Sequence, residues 1–165
     1  MKRKEILGVL ALVLVVATAA LVWVGPWQGE RAANVSFETL DGRTFDLHEL
    51  RGKPVLITFW ATTCPSCIAE VPHLRALYQD LGPEGLEVIG VAMHYDPPNQ
   101  VAAMVEDRNM SYTIVMDRDD AIAQSFGGIR LTPTSILINP EGRVVWRRLG
   151  ELNMEQVRNQ IQSML

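Results

Sequence analysis

Phe59-Trp60-Ala61-Thr62-Thr63-Cys64-Pro65-Ser66-Cys67-Ile68-Ala69-Glu70-Val71-Pro72 holds both cysteines of this 165-residue chain, three positions apart. The residues before it, Val55 to Trp60, form a continuous β-prone run of the kind a buried central strand uses. After it, Ile68, Val71, Leu74, Leu77, Tyr78 and Leu81 recur at helical spacing until Gly82-Pro83 stops them. Cys64 therefore falls where a strand passes into a helix, and Pro65 suits the first helical position. A thiol at a helix N-terminus meets unpaired N–H groups and the positive end of the dipole, which favour the thiolate. Cys67, one turn further in, is close enough to form a disulfide with it and is the less exposed of the two. The expected chemistry is a mixed disulfide at Cys64 that Cys67 resolves.

A structural staple or a metal site would account for the pair less well. A disulfide spanning two residues closes a tiny loop and constrains little of the unfolded chain. A zinc site needs four ligands, and His48, His73 and His94 show no paired spacing. No metal and no cofactor are expected, because the dithiol itself carries the electrons.

Strands and helices alternate outward from the motif. Val35 to Leu40 and Arg43 to Leu47 flank Asp41-Gly42, a hairpin signal. Leu86 to Ala92 reads as a second buried strand, and Pro97-Pro98 opens a helix carrying Val101, Met104 and Val105. Tyr112 to Met116 is a third strand, and Asp120 to Phe126 a short helix ended by Gly127-Gly128. Thr134 to Asn139 and Val144 to Leu149 form a hairpin, and Met154, Val157, Ile161 and Met164 mark a closing helix. The pattern predicts an α/β fold, a mixed β-sheet flanked by helices.

At the N-terminus, Lys2-Arg3-Lys4 precedes an apolar run from Ile6 to Val24. Nineteen residues at a helical rise span roughly 28 Å, close to a bilayer's hydrocarbon core. The basic triplet should stay cytoplasmic, with Trp23 and Trp27 at the far interface. Residues 1–27 are thus expected to form a cytoplasmic basic tip and one transmembrane helix, 28–34 a linker, and 35–165 the globular domain. A cleaved signal peptide at Ala17-Thr18-Ala19 is the competitor, but Leu21-Val22-Trp23-Val24 carries the apolar run past that site. The expected topology is single-pass, with the domain exported to the extracytoplasmic side. The net charge is -4, and the basic tip contributes +2, so the rest carries -6, which argues against nucleic-acid binding.

The quoted stretch resembles the thioredoxin superfamily, and within it the TlpA/ResA-like branch of membrane-anchored thiol–disulfide oxidoreductases, which includes the cytochrome c maturation thioredoxins. The resemblance runs from about Val35 to Leu149, through Gly52-Lys53-Pro54 and Leu131-Thr132-Pro133-Thr134. It implies a thioredoxin fold with an added N-terminal β-hairpin and an inserted strand–helix element. It also implies a cis bond at Thr132-Pro133, facing the cysteines and leaving the Thr132 backbone free for substrate. Trp60, Pro65 and Ser66 would support the site.

Two positions refine the match. Thr58 stands where thioredoxins place a buried acid, and a hydroxyl cannot accept a proton at neutral pH. Glu70 matches the acid of Cys-x-x-Cys-x-x-Glu-x-Pro, and partial burial would raise its pKa so that it could take the Cys67 proton. Thr63 replaces the tryptophan that often precedes the first cysteine, which alters the substrate-facing surface.

The resemblance implies a location at the bacterial cytoplasmic (inner) membrane, with the domain on the periplasmic or extracytoplasmic side. It also implies reduction of disulfides in exported proteins, electrons from a membrane thiol carrier of the DsbD/CcdA type, and a monomeric protein. Two alternatives stay open. A peroxiredoxin-like peroxidase would want Pro-x-x-x-Thr-x-x-Cys, but Thr62 lies two residues before Cys64 rather than three. A Cu(I) metallochaperone could use both thiolates with Met93 or His94.

Overall fold

The computed structural model describes Val13, Val16 and residues 29–165. The anchor read over residues 6–24 lies, those two valines apart, outside the described residues. Among them no helix is long and apolar enough to cross a membrane.

The domain begins with a two-stranded antiparallel hairpin, β1 (Ser36–Glu38) and β2 (Thr44–Asp46). Gly42 makes its turn possible at φ 81°, a conformation glycine adopts without steric cost. Then follow β3 (Val55–Trp60), α1 (Pro65–Leu81), β4 (Glu87–Ala92), α2 (Pro98–Asp107), β5 (Thr113–Met116) and α3 (Ala121–Ser125). β6 (Thr134–Ile138), β7 (Val144–Leu149) and α4 (Met154–Gln162) complete it. The main sheet has the order β5-β4-β3-β6-β7, with β3, β4 and β5 parallel and β6 and β7 antiparallel to their neighbours. This is the thioredoxin-like mixed sheet with its added N-terminal hairpin.

All six residues of β3 are buried, as its unbroken apolar run requires of a strand covered on both faces. Leu56 and Trp60 point into the core beneath α1, α2 and α4, with Val71, Leu77, Val101 and Val157. Ile57 and Phe59 point the other way, toward the hairpin and α3, with Phe37, Ile122 and Phe126. The hairpin docks on the sheet edge, where Thr39 bridges Val115 and the Leu40 N–H donates to the Ile114 carbonyl at 3.2 Å.

The segment that reads as a linker is not free from Glu30 onward. Arg31 bridges Arg143, the Val144 N–H donates to the Glu30 carbonyl at 2.8 Å, and the Ala32 N–H donates to the Gly142 carbonyl at 3.0 Å. The start of β7 sits at a sheet edge with open backbone groups, and this stretch satisfies them.

Candidate active site

Cys64 is the N-cap of α1 with extended φ/ψ of -100° and 103°, and Pro65 occupies the first turn. A disulfide joins Cys64 to Cys67, their Cα atoms 5.3 Å apart. Cys64 is 9% exposed and Cys67 3%, so the second cysteine is the less exposed, as expected. The Cys67 N–H donates to Cys64 Sγ at 3.2 Å, and Ser66 Oγ lies 3.5 Å from the same sulfur. In the dithiol state those two donors and the helix dipole would all favour a thiolate at Cys64. The helix runs unbroken through Pro72, which has no N–H to offer the Ile68 carbonyl.

Glu70 is 5% exposed, one turn beyond Cys67 on the same helix face. Its Oε1 accepts the Leu152 N–H at 2.8 Å, from the turn that leads into α4. Burial pushes its pKa above the ordinary glutamate value, and the nearby Glu151 charge adds to the rise. The Leu152 hydrogen bond and His73 oppose it without cancelling it. Glu70 also lines a surface cleft of about 180 Å³ with Ser66, His73, Glu151 and Met154. Tyr112 is close enough that the Glu70 charge adds to burial in raising its phenol.

Thr58 is 2% exposed and accepts a hydrogen bond from Ser135 Oγ at 3.1 Å, its cross-strand partner on β6. The strand position opposite the cysteines therefore holds a satisfied hydroxyl pair and no acid. Trp60, 3% exposed, belongs to the same buried cluster as both cysteines, and its indole N–H has no partner among the described residues. Gly90 makes room for it: a Cβ there would stand 3.2 Å from Trp60 Nε1 and 2.9 Å from Ile114 Cδ1.

The Thr132–Pro133 bond is cis, as the resemblance implies. Phe59 pairs with Thr134, so the residues that follow β3 and those that precede β6 share one end of the sheet. The Pro133 carbonyl accepts the Gly150 N–H at 2.8 Å, while no hydrogen bond among the described residues uses the Thr132 backbone.

Asp96 joins the site without a counterpart in the sequence reading. It is 4% exposed, and its carboxylate accepts the Thr62 N–H at 2.6 Å and the Thr62 hydroxyl at 3.1 Å. It thus clamps the loop that carries Cys64. The available signal was an aspartate in the short turn between a buried strand and Pro97-Pro98, a turn that can aim a side chain back over the strand end. The pieces proposed for copper do not meet: Met93 is packed in the core under α3, on the other face of the sheet from the cysteines, and His94 Nδ1 lies 3.1 Å from Asp120. Among the described residues no three His, Cys, Asp or Glu side chains are grouped to hold a metal.

The redoxin family model matches residues 28–164. The chain belongs to the redoxin family. Within the thioredoxin superfamily this redoxin is ResA-like: it is 37% identical over 129 residues to the thiol-disulfide oxidoreductase ResA of Halalkalibacterium halodurans, covering 78% of this chain and 72% of that one. Its fold matches dsbF of Mycobacterium tuberculosis, solved in mixed oxidized and reduced forms, with a TM-score of 0.71 at 25% identity over 85% of this chain and 98% of that one. A thioredoxin family thiol:disulfide interchange protein from Chlorobium tepidum matches with a TM-score of 0.76 at 23% identity, covering 85% and 99%. With its cysteine pair at the head of α1, this redoxin is a thioredoxin-like protein-disulfide oxidoreductase.

Proposed function

We propose that this redoxin reduces disulfides in exported proteins, with Cys64 as nucleophile, Cys67 as resolving thiol and Glu70 as proton acceptor. The reduced protein attacks with the Cys64 thiolate, one substrate disulfide breaks, and a mixed disulfide forms as the first substrate thiolate leaves. Glu70 takes the Cys67 proton, and the Cys67 thiolate then attacks Cys64 Sγ. The second substrate thiolate leaves and takes up the proton held by Glu70, which restores the carboxylate, and two electrons have moved from protein to substrate. The observation that carries this reading is the buried, ionisable Glu70 one turn from Cys67, held by the Leu152 N–H and bordering a solvent cleft.

Substrate backbone would pair with the unused Thr132 N–H and C=O beside cis Pro133, in the manner of an added strand. Trp60, Pro65 and Ser66 keep the cysteines in place from the core side, the helix start and the flank. Residues 6–24 would anchor the domain outside the cytoplasmic membrane, where a thiol carrier of the DsbD/CcdA type would return the dithiol after each turnover. The location supports exported targets, with apocytochrome c cysteines one candidate.

The test is the redox state of the pair in growing cells, trapped by alkylation, together with insulin-type disulfide reduction by the purified chain. A reductase holds Cys64 and Cys67 largely reduced in cells and loses insulin reduction in Cys64→Ser. A stably oxidised pair in growing cells would overturn the reductase direction.

A further inference from the structure

Leu131 and Leu149 are the two most exposed large hydrophobic side chains among the described residues, at 62% and 63%. They line one groove of about 390 Å³ at the active-site end of the sheet, with Gly127, Arg130, Thr134 and Arg147. Thr134 ties the two together, since it pairs with Leu149 across the strands and its hydroxyl donates to the Leu131 carbonyl at 2.6 Å. Two bare leucines so placed form one apolar strip, which marks an interaction surface more than scattered exposure does.

The strip is flanked by positive charge. Arg147 stands two residues before Leu149 on the same outward face of β7. Its guanidinium lies against Gly127, where a Cβ would stand 2.9 Å from Nη1 and where φ is +84°, so glycine is what leaves the room. Among the described residues neither Arg130 nor Arg147 forms an ion pair. The chain as a whole carries -4. Two unpaired guanidinium groups beside two exposed leucines are therefore a local exception to its charge. The strip also runs directly into Thr132–Pro133, so a polypeptide that presents a disulfide to Cys64 along that backbone passes over it.

We infer that this groove takes an extended apolar–acidic segment flanking the disulfide of the protein substrate, the leucines receiving an apolar side chain and the two arginines a carboxylate. The inference rests on the reductase reading above and adds the substrate's local chemistry to it. Exposed ion pairs are individually weak, so two of them set a preference of roughly three- to tenfold at low salt.

The test uses the full reduced chain in single-turnover exchange with two disulfide peptides of equal length. One carries Leu and Glu beside the cystine, and the other carries Leu and Lys. The non-peptide 2-hydroxyethyl disulfide serves as the reference. The acidic peptide should half-saturate at a concentration roughly three- to tenfold lower than the basic one, with similar maximal rates. Arg130→Glu/Arg147→Glu should invert that order and leave the 2-hydroxyethyl disulfide rate unchanged, which also reports an intact fold. Leu131→Ser/Leu149→Ser should raise the half-saturating concentration for both peptides. Equal half-saturation of wild type by the two peptides, or an order untouched by the charge reversal, would overturn the groove's role. Failure of wild type to reduce even 2-hydroxyethyl disulfide would overturn the reductase reading itself.

Discussion

Two buried carboxylates flank the cysteine motif, and their surroundings suit them to different work. Asp96, on the loop between β4 and α2, spends both oxygens on Thr62, one on its N–H and one on its hydroxyl. Glu70, between α1 and the turn into α4, has a single donor in the Leu152 N–H and a cleft to solvent beside it. A carboxylate with both oxygens engaged holds a loop still. One that is buried, singly bonded and raised in pKa is suited to trading protons. The two are 4% and 5% exposed, so exposure alone would not have told them apart. Hydrogen-bond partners do.

The contrast can be broken by mutation, beginning with the cysteine that the proposed exchange needs first. Cys64→Ser should reduce insulin-type disulfide reduction to background, because no mixed disulfide can form. Glu70→Gln keeps the acceptor for Leu152 but not the base, and should slow exchange about a hundredfold in steady-state assays at neutral pH. Asp96→Ala should instead act on stability, by about 3 kcal/mol in urea unfolding, because it strips a charged acceptor from a buried N–H and hydroxyl. A Glu70→Gln enzyme of normal rate, or an Asp96→Ala protein of normal stability, would erase the distinction.

Stability against pH sharpens it further. The folded pKa of Glu70 lies above the unfolded value, so the folded state holds its proton more tightly. Whatever this adds is fully present below the unfolded glutamate pKa and is lost as pH rises through the folded one. Glu70→Gln should therefore flatten that part of the stability curve and raise Tm at neutral pH by a few degrees, on the order expected for a domain of this size. The smallest effect belongs to the hydroxyl pair that stands where an acid might have been. Thr58→Val leaves the Ser135 hydroxyl buried and unpaired and should cost about 1 kcal/mol. The double variant Thr58→Val/Ser135→Ala removes both partners and should recover most of that loss in the same unfolding assay.

Much of the fold and the cysteine site is legible in the sequence. The β3 run, the helical spacing after Cys67 and the cap-forming Cys64-Pro65 are local signals, and strand-to-helix placement follows from them. The hairpin around Asp41-Gly42 and the strands β6 and β7 read equally well from turn chemistry. What escapes a sequence reading are contacts between residues far apart in the chain. Leu152 is 82 positions from Glu70, and Asp96 is 34 from Thr62. No periodicity encodes such pairings, because the register of packed elements sets them. Glu30 to Ala32 have the look of a linker because Gly and polar residues surround them, and the open edge of β7 recruits them instead. Thr58 shows the reverse case. Its inability to replace an acid is plain from residue type, and the structure adds the Ser135 partner that makes a buried hydroxyl tolerable.

The claim that Glu70 receives the Cys67 proton is tested most directly by the pH profile for resolution of a preformed Cys64 mixed disulfide, followed in single turnover. In the wild-type protein the rate should rise with pH through an inflection above the ordinary glutamate range and then level off. In Glu70→Gln that inflection should vanish, leaving a slower rate that climbs only as the Cys67 thiol itself ionises. Superimposable profiles for the two proteins would contradict the assignment.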